Sequence, residues 1–323
     1  MKAIIIKKNG GPEVLELKDI KLTNPNKNEV LIKNKAIGLN YIDIYHRSGL
    51  YPVKLPSHLG MEGSGIVQET GSNVKNFKKG DRVAYASAPL GSYATHRLFP
   101  AKNLIKLNNK LNFNIAATLM TKGITSYYLL NKTYKVKSGQ TILFHAAAGG
   151  VGQIFCQWAK NIGCNVIGTV GSDKKISLAK NYGCKYVINY SKKNFVKKVM
   201  EITKGVGVHV VYDGVGKKTF DKSIDCLKIR GIMISFGNAS GQLDPISVSK
   251  SIQPKNIYFT RPTGNHYINS RKEYEEASKK VFEMYIKKKI KIKIFKKYAL
   301  KDVVKAHKDL AARKIIGPAI LVP

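Results

Sequence analysis

Between residues 140 and 171 the chain reads strand, glycine turn, helix, strand, and that unit limits what the remainder can be. Gln140-Thr141-Ile142-Leu143-Phe144-His145 is short and apolar, as a strand buried on both faces is. A turn of small residues follows, Ala146-Ala147-Ala148-Gly149-Gly150-Val151-Gly152. Ile154, Phe155, Trp158, Ala159 and Ile162 then recur at helical spacing and predict a helix over 153–162, which Gly163 stops. Residues 166–170, Val-Ile-Gly-Thr-Val, read as the second strand. Such a turn aims backbone N–H groups at the pyrophosphate of a dinucleotide. Side chains at Gly149 or Gly150 would hold the backbone away from the phosphates, and Gly152 lets the helix pack close to the strand. Ala147 stands where the first glycine of G-x-G-x-x-G would be.

The end of the second strand tells which dinucleotide is expected. Binders of NAD carry Asp or Glu there, about 20 residues on, for the ribose 2′-hydroxyl. Here the strand ends Val170-Gly171-Ser172 without an acid, and Lys174 and Lys175 follow. Gly171 leaves room for a 2′-phosphate, Ser172 can donate to it and a lysine can neutralise it, which favours NADPH. Asp173 argues the other way, and the lysines can also be read as solvated helix residues.

With 323 residues there is enough chain for two cores, and 43 % hydrophobic residues exclude a disordered protein. No apolar run is long enough to span a bilayer, and the lysine-broken start is no signal peptide, so the expectation is a cytoplasmic protein without a membrane partner. Cys156, Cys164, Cys184 and Cys226 are scattered, which argues against a disulfide framework or a zinc ribbon and for buried thiols. The net charge of +36 allows weak, non-specific association with nucleic acid. It is mostly lysine and spread along the whole chain, whereas dedicated binders gather charge on one face and use arginine.

The first 119 residues show little helical periodicity. Strands are predicted at 2–6, 14–19, 29–39, 63–69, 81–86 and 93–99, broken by turns such as Asn9-Gly10-Gly11-Pro12 and Gly71-Ser72-Asn73, and they suggest a small β-barrel. A helix at 116–130 leads into the alternating part. Further strands are expected at 184–190, 207–212, 231–236 and 256–260, with helices at 174–182, 193–203 and 217–227. Six strands in two halves are what a doubly wound α/β fold requires. Residues 273–286 read as an amphipathic helix, 290–298 as a strand and 300–313 as another helix.

On several segments the chain resembles the medium-chain dehydrogenase/reductase superfamily, in its quinone oxidoreductase branch that includes zeta-crystallin. The segments are Gly38-Leu39-Asn40-Tyr41-Ile42-Asp43, Gly49-Leu50-Tyr51-Pro52, Gly60-Met61-Glu62-Gly63-Ser64-Gly65, Lys79-Gly80-Asp81-Arg82-Val83, residues 145–152 and Ser235-Phe236-Gly237-Asn238. The resemblance implies a GroES-like β-barrel catalytic domain at 1–122 and 264–323, a Rossmann domain at 123–263, a cleft between them, and a homodimer. Met61 stands where the zinc alcohol dehydrogenases have a ligating His, and no Cys lies near Asn40. A thioether is a poor Zn²⁺ ligand, so no metal site is expected and alcohol oxidation is disfavoured.

What remains is transfer of reducing equivalents from NADPH to a small quinone or, in the same site, to the C=C bond of an enone or 2-alkenal. RNA or DNA binding is the alternative of another class. By resemblance, Asn40 and Tyr45 lie near the nicotinamide end and Tyr51 on the substrate side, where it can donate to a developing oxyanion. Tyr45 and Tyr51 can equally be core-filling aromatics. Thr125, Gly149, Gly150, Val151, Gly171, Ser172, Lys175 and Tyr190 fall on cofactor-contacting positions, and Val215, Phe236, Gly237 and Asn238 along the path to the nicotinamide. The family's Ser is replaced by Gly214. Arg261 can stabilise charge on a quinone oxygen, or be a surface arginine. Tyr51, Arg261 and Asn40 are thus the candidate catalytic residues.

Overall fold

Glu29–Leu39, the eleven-residue strand β3, is the backbone of the first unit in the computed structural model, which describes residues 1–323. The unit comprises Met1–Ile124, Ser270–Ile286 and Ile292–Pro323. Before β3 come β1 (Lys2–Ile6) and β2 (Glu16–Asp19), and after it α1 (Tyr41–Ser48), β4 (Ser57–His58), β5 (Glu62–Thr70), β6 (Arg82–Ala86), β7 (His96–Pro100), β8 (Ile105–Lys106) and α2 (Phe113–Tyr128). β3 pairs antiparallel with β5 along one edge and with β7 along the other, Val30 facing Thr70 on one side and Phe99 on the other. β2, β1 and β4 form a separate three-stranded sheet. Ile4, Ile6, Ile37, Leu39, Leu59 and Leu321 fill one core, and Val30, Ile32, Val67, Val83, Tyr85 and Phe99 another.

The second unit, Thr125–Asn269 with Lys287–Lys291, alternates strand and helix. Its elements are β9 (Thr141–Phe144), α3 (Gly150–Ile162), β10 (Asn165–Val170), α4 (Ile176–Asn181), β11 (Tyr186–Asn189), α5 (Phe195–Ile202), β12 (Val208–Asp213), α6 (Phe220–Asp225), β13 (Leu227–Ser235), β14 (Tyr258–Thr260) and α7 (Gly264–Tyr267). The six strands are all parallel, in the order β11-β10-β9-β12-β13-β14. This is the doubly wound arrangement, with its switch point between β9 and β12, where ligands bind at the strands' carboxyl ends. Apolar residues run along the strands because helices cover the sheet: Leu143, Ile167, Val211 and Met233 pack with Val199, Phe220 and Ile224.

The chain then adds α8 (Arg271–Ile286), β15 (Lys296–Ala299), α9 (Val303–Ala311) and β16 (Ala319–Val322) to the first unit. β16 pairs antiparallel with the end of β3, Ile320 opposite Gly38.

Several elements differ from the sequence reading. Residues 41–48 form a helix inside the stretch read as all-β. Asn40 is extended at φ −128° and its N–H is held by Asp43 Oδ2 at 2.9 Å, while Gly49 at φ +82° ends the helix, so capping decides what Tyr41-Ile42-Asp43-Ile44-Tyr45 alternation does not. The strand expected over 290–298 shrinks to Lys296–Ala299, because only those residues find a partner, β16. The strand expected over 14–19 begins at Glu16, after a 3₁₀ turn whose first residue is Pro12. All four cysteines are free and buried. No helix is long and apolar enough to cross a membrane.

Candidate functional site

The turn between β9 and α3 is shaped by two backbone close approaches. A Cβ on Gly152 would lie 2.4 Å from the Ala147 carbonyl oxygen, and one on Gly149 3.0 Å from that of Ala146. Ala146, the residue before the position of the absent first glycine, takes φ +58°, a left-handed conformation that glycine adopts more easily than alanine. Gly149 at φ −79° precedes the helix, and Gly150, Val151 and Gly152 form its first turn, whose N–H groups have no intrahelical partner. Gly149, Gly150 and Val151 are therefore brought together as a fixed cradle of donors, the geometry a pyrophosphate fits.

Beneath the cradle lies a buried polar network with no signal in the sequence reading. His145 Nδ1 meets Thr169 Oγ1 and its Nε2 meets Ser223 Oγ, both at 2.8 Å. Asp213 accepts from Val215 N at 2.7 Å and Gly216 N at 3.1 Å on one oxygen, and from Thr219 Oγ1 at 2.7 Å on the other. Burial lowers the His145 pKa, so the ring stays neutral. These bonds lock the carboxyl ends of β9, β10 and β12, and so fix Val215.

At the tip of β10, a Cβ added to Gly171 would press on Tyr190 Oη at 3.0 Å, so the glycine lets the tyrosine hydroxyl approach the strand end. Ser191 Oγ donates to the Gly171 carbonyl at 3.1 Å, so Gly171, Ser172 and Tyr190 gather at one point with Lys175, half-buried, one turn on. Asp173, the residue that argued against a phosphate, is engaged elsewhere: it accepts from Asn189 Nδ2 at 2.7 Å and from Lys192 Nζ at 2.5 Å, and Lys192 holds its carboxyl below the usual range. Across the switch point, a Cβ on Gly237 would lie 2.5 Å from the Gly214 oxygen, and one on Gly214 2.9 Å from the Phe236 ring. Gly214 therefore replaces the family's serine where a side chain would collide with Phe236. Phe236 packs on Phe144 with centroids 5.7 Å apart, and Asn238 is buried. Arg261 Nη1 donates to the Ser235 carbonyl at 2.6 Å, which ties β14 to the end of β13. Thr125 lies half-buried on α2.

In the first unit, Asn40 stands at the junction of β3 and α1. Its Nδ2 donates to Glu62 Oε2 at 2.8 Å and its Oδ1 accepts from Lys122 Nζ at 2.6 Å. Glu62 Oε1 accepts from Thr121 N at 2.7 Å, and Lys122 Nζ lies 3.4 Å from Glu62 Oε2, both side chains buried. Neither Lys122 nor a role for Glu62 was foreseen from the sequence; the one charged residue in the stretch 116–124, otherwise Ala, Thr, Leu, Met, Gly and Ile, was the available signal. Tyr41, Tyr45 and Tyr51 form an edge-to-face series with centroids 5.5 and 5.1 Å apart, so Tyr45 and Tyr51 share one aromatic wall. Under α1, Tyr93 donates to Asp43 at 2.8 Å and meets His307 Nε2 at 3.1 Å, while Arg47 Nη1 meets His307 Nδ1 at 3.2 Å. A guanidinium only donates, so Nδ1 accepts and Nε2 carries the proton. Desolvation raises the Asp43 pKa to about 7, and desolvation and then Arg47 lower that of His307 to about 3.

The donor set does not fit zinc. No group of three or more His, Cys, Asp or Glu side chains is placed to hold a metal, Met61 is a thioether, and the Lys122 ammonium occupies the space beside Asn40 and Glu62.

Residues 26–109 match the family model described as alcohol dehydrogenase GroES-like domain, and residues 150–283 the one described as zinc-binding dehydrogenase. The chain is 46 % identical to quinone oxidoreductase 1 of Escherichia coli (strain K12), covering 98 % of both chains. It is 40 % identical to a 2-haloacrylate reductase from Burkholderia sp, covering 99 % of this chain and 98 % of that protein. Escherichia coli quinone oxidoreductase, solved in complex with NADPH, superposes with a TM-score of 0.98 at 45 % identity, covering 100 % of both. Fold, glycine turn and these likenesses agree, and the chain belongs to the quinone oxidoreductase family of the medium-chain dehydrogenase/reductase superfamily.

Proposed function

We propose that this chain is a zinc-independent NADPH:quinone oxidoreductase. The observation that carries the reading is the β9–α3 turn, where Gly149 and Gly152 lie so close to the Ala146 and Ala147 carbonyls that a Cβ has no room and the first-turn N–H groups of α3 are left to offer, with an acid-free Gly171-Ser172 tip at the end of β10. The α3 N-terminus would hold the pyrophosphate, and Gly171, Ser172, Lys175 and Tyr190 a 2′-phosphate. Val215, Phe236, Gly237 and Asn238 would flank the path toward the nicotinamide. When bound, the nicotinamide supplies the reducing equivalents. Asn40 orients a ligand oxygen through its carboxamide. Tyr51 donates a proton-bearing hydroxyl to the oxygen on which charge develops, and Tyr45 backs it. Arg261, held by the Ser235 carbonyl, adds a fixed positive charge at the strand ends.

The two lead readings divide at the acceptor. The 40 % identity to a 2-haloacrylate reductase favours C=C reduction as the second reading. The test is NADPH against NADH with a panel of benzo- and naphthoquinones and an enone. Preferred oxidation of NADPH by quinones supports the first reading, faster turnover of the enone the second, and no oxidation with any acceptor sinks both. By family resemblance the enzyme would be a homodimer, and the lysine-broken start and lack of a long apolar run favour the cytoplasm. The charge of +36 would give it only weak nucleic-acid affinity that falls steeply with salt.

A further inference from the structure

Asn40 is a candidate ligand-binding side chain whose orientation the surrounding charges dictate. An ammonium only donates and a carboxylate only accepts, so the atom 2.6 Å from Lys122 Nζ must be the amide oxygen and the atom 2.8 Å from Glu62 Oε2 the amide nitrogen. Reversing the amide would set N–H groups against the ammonium and an oxygen against the carboxylate. The backbone is restrained as well, since the Asn40 N–H donates to Asp43 Oδ2 at 2.9 Å. One N–H of the carboxamide is then left to offer. Lys122 is 5 % exposed and Glu62 0 %, and both bond directly to the Asn40 carboxamide, so Asn40 is the contact through which they act on it and on what it binds. Space for the carboxylate exists because residue 38 is glycine: a Cβ there would lie 2.1 Å from Glu62 Oε2.

The geometry points to Lys122, held by Glu62, as a positioning residue that fixes Asn40 as a hydrogen-bond donor to an oxygen atom of the bound ligand. This rests on the proposed ligand-facing role of Asn40. Neither charge is dispensable alone, because removing Lys122 leaves Glu62 as an uncompensated buried carboxylate. The test therefore compares Lys122→Met with the neutral pair Glu62→Gln/Lys122→Met, and each with Asn40→Ala, in steady-state kinetics with NADPH and a benzoquinone and in thermal melting. The neutral pair is expected to lower kcat/KM about ten- to a hundredfold, as a misplaced binding group does. The loss should fall on the same constant, kcat or the KM for NADPH, as in Asn40→Ala. In an Asn40→Ala background the neutral pair should cost nothing further, which a merely structural role would not produce. Equal losses in both backgrounds, or a folded neutral pair with the parent's kcat/KM, would overturn the inference. Asn40→Ala with the parent's kinetics would overturn the reading of Asn40 itself, and the inference with it.

Discussion

Replacing Gly152 by alanine adds one methyl group at the tightest point of the proposed cofactor cradle. That Cβ would lie 2.4 Å from the Ala147 oxygen, 2.6 Å from its carbonyl carbon and 2.7 Å from the Ala146 oxygen. All three atoms are backbone, so no side chain can swing aside. Ordinary contact begins at 3.4 Å, so the turn and the start of α3 must separate by about 1 Å. Overpacking of this kind costs about 1–3 kcal/mol of stability. Binding should suffer in addition, because the same shift misaims the N–H groups of the first helical turn. One hydrogen bond to a charged group contributes about 1.5–3 kcal/mol, so its loss weakens NADPH binding by about ten- to 150-fold. Fluorescence titration with NADPH, alongside thermal melting of parent and variant, reads both effects. A Gly152→Ala protein that melts with the parent and binds NADPH as tightly would refute the account of the turn.

Gly38→Ala should push Glu62 off Asn40 and Thr121, since the new Cβ would also face the Ala117 carbonyl at 2.4 Å; breaking that buried pair is expected to cost about 3–5 kcal/mol, and an unchanged melting temperature would count against it. Asp43 and His307 give opposite pH slopes. Folded Asp43 keeps its proton up to about pH 7 whereas the unfolded group releases it near 3.8, so its contribution falls as pH rises between those values. Folded His307 stays neutral down to about pH 3 whereas the unfolded ring protonates below 6.5, so its contribution falls as pH drops through that window. The two cancel between about pH 4 and 6.5, each slope being about 1.4 kcal/mol per pH unit. Asp43→Asn should unmask an acid-side loss in denaturant titrations and His307→Gln a loss on raising the pH from 4 to 7; parallel curves for parent and both variants would contradict the assigned protonation states.

Much of this protein could be read before any coordinates. The β9–α3–β10 unit was legible because its determinants are local: an apolar strand, glycines where the backbone doubles back, and a 3.6-residue period. The parallel six-stranded sheet followed from alternating strands and helices. α1 was harder, since its five leading residues alternate like a strand and only Asn40 and Gly49 mark its ends. The 290–298 strand was overestimated because a strand's length is set by its partner, β16, and not by its own residues.

The local chain thus determined the cradle, the missing zinc ligands and the basic composition. Tertiary structure alone decided which polar side chains stand behind them. Asn40 meets Lys122 across 82 positions and His145 meets Ser223 across 78. A single buried charge or hydroxyl leaves no period in the sequence, and its partner is chosen by where folding carries two distant strands and helices. The same lysine that counts as one of many in the composition is, once buried beside Glu62, the group that aims Asn40.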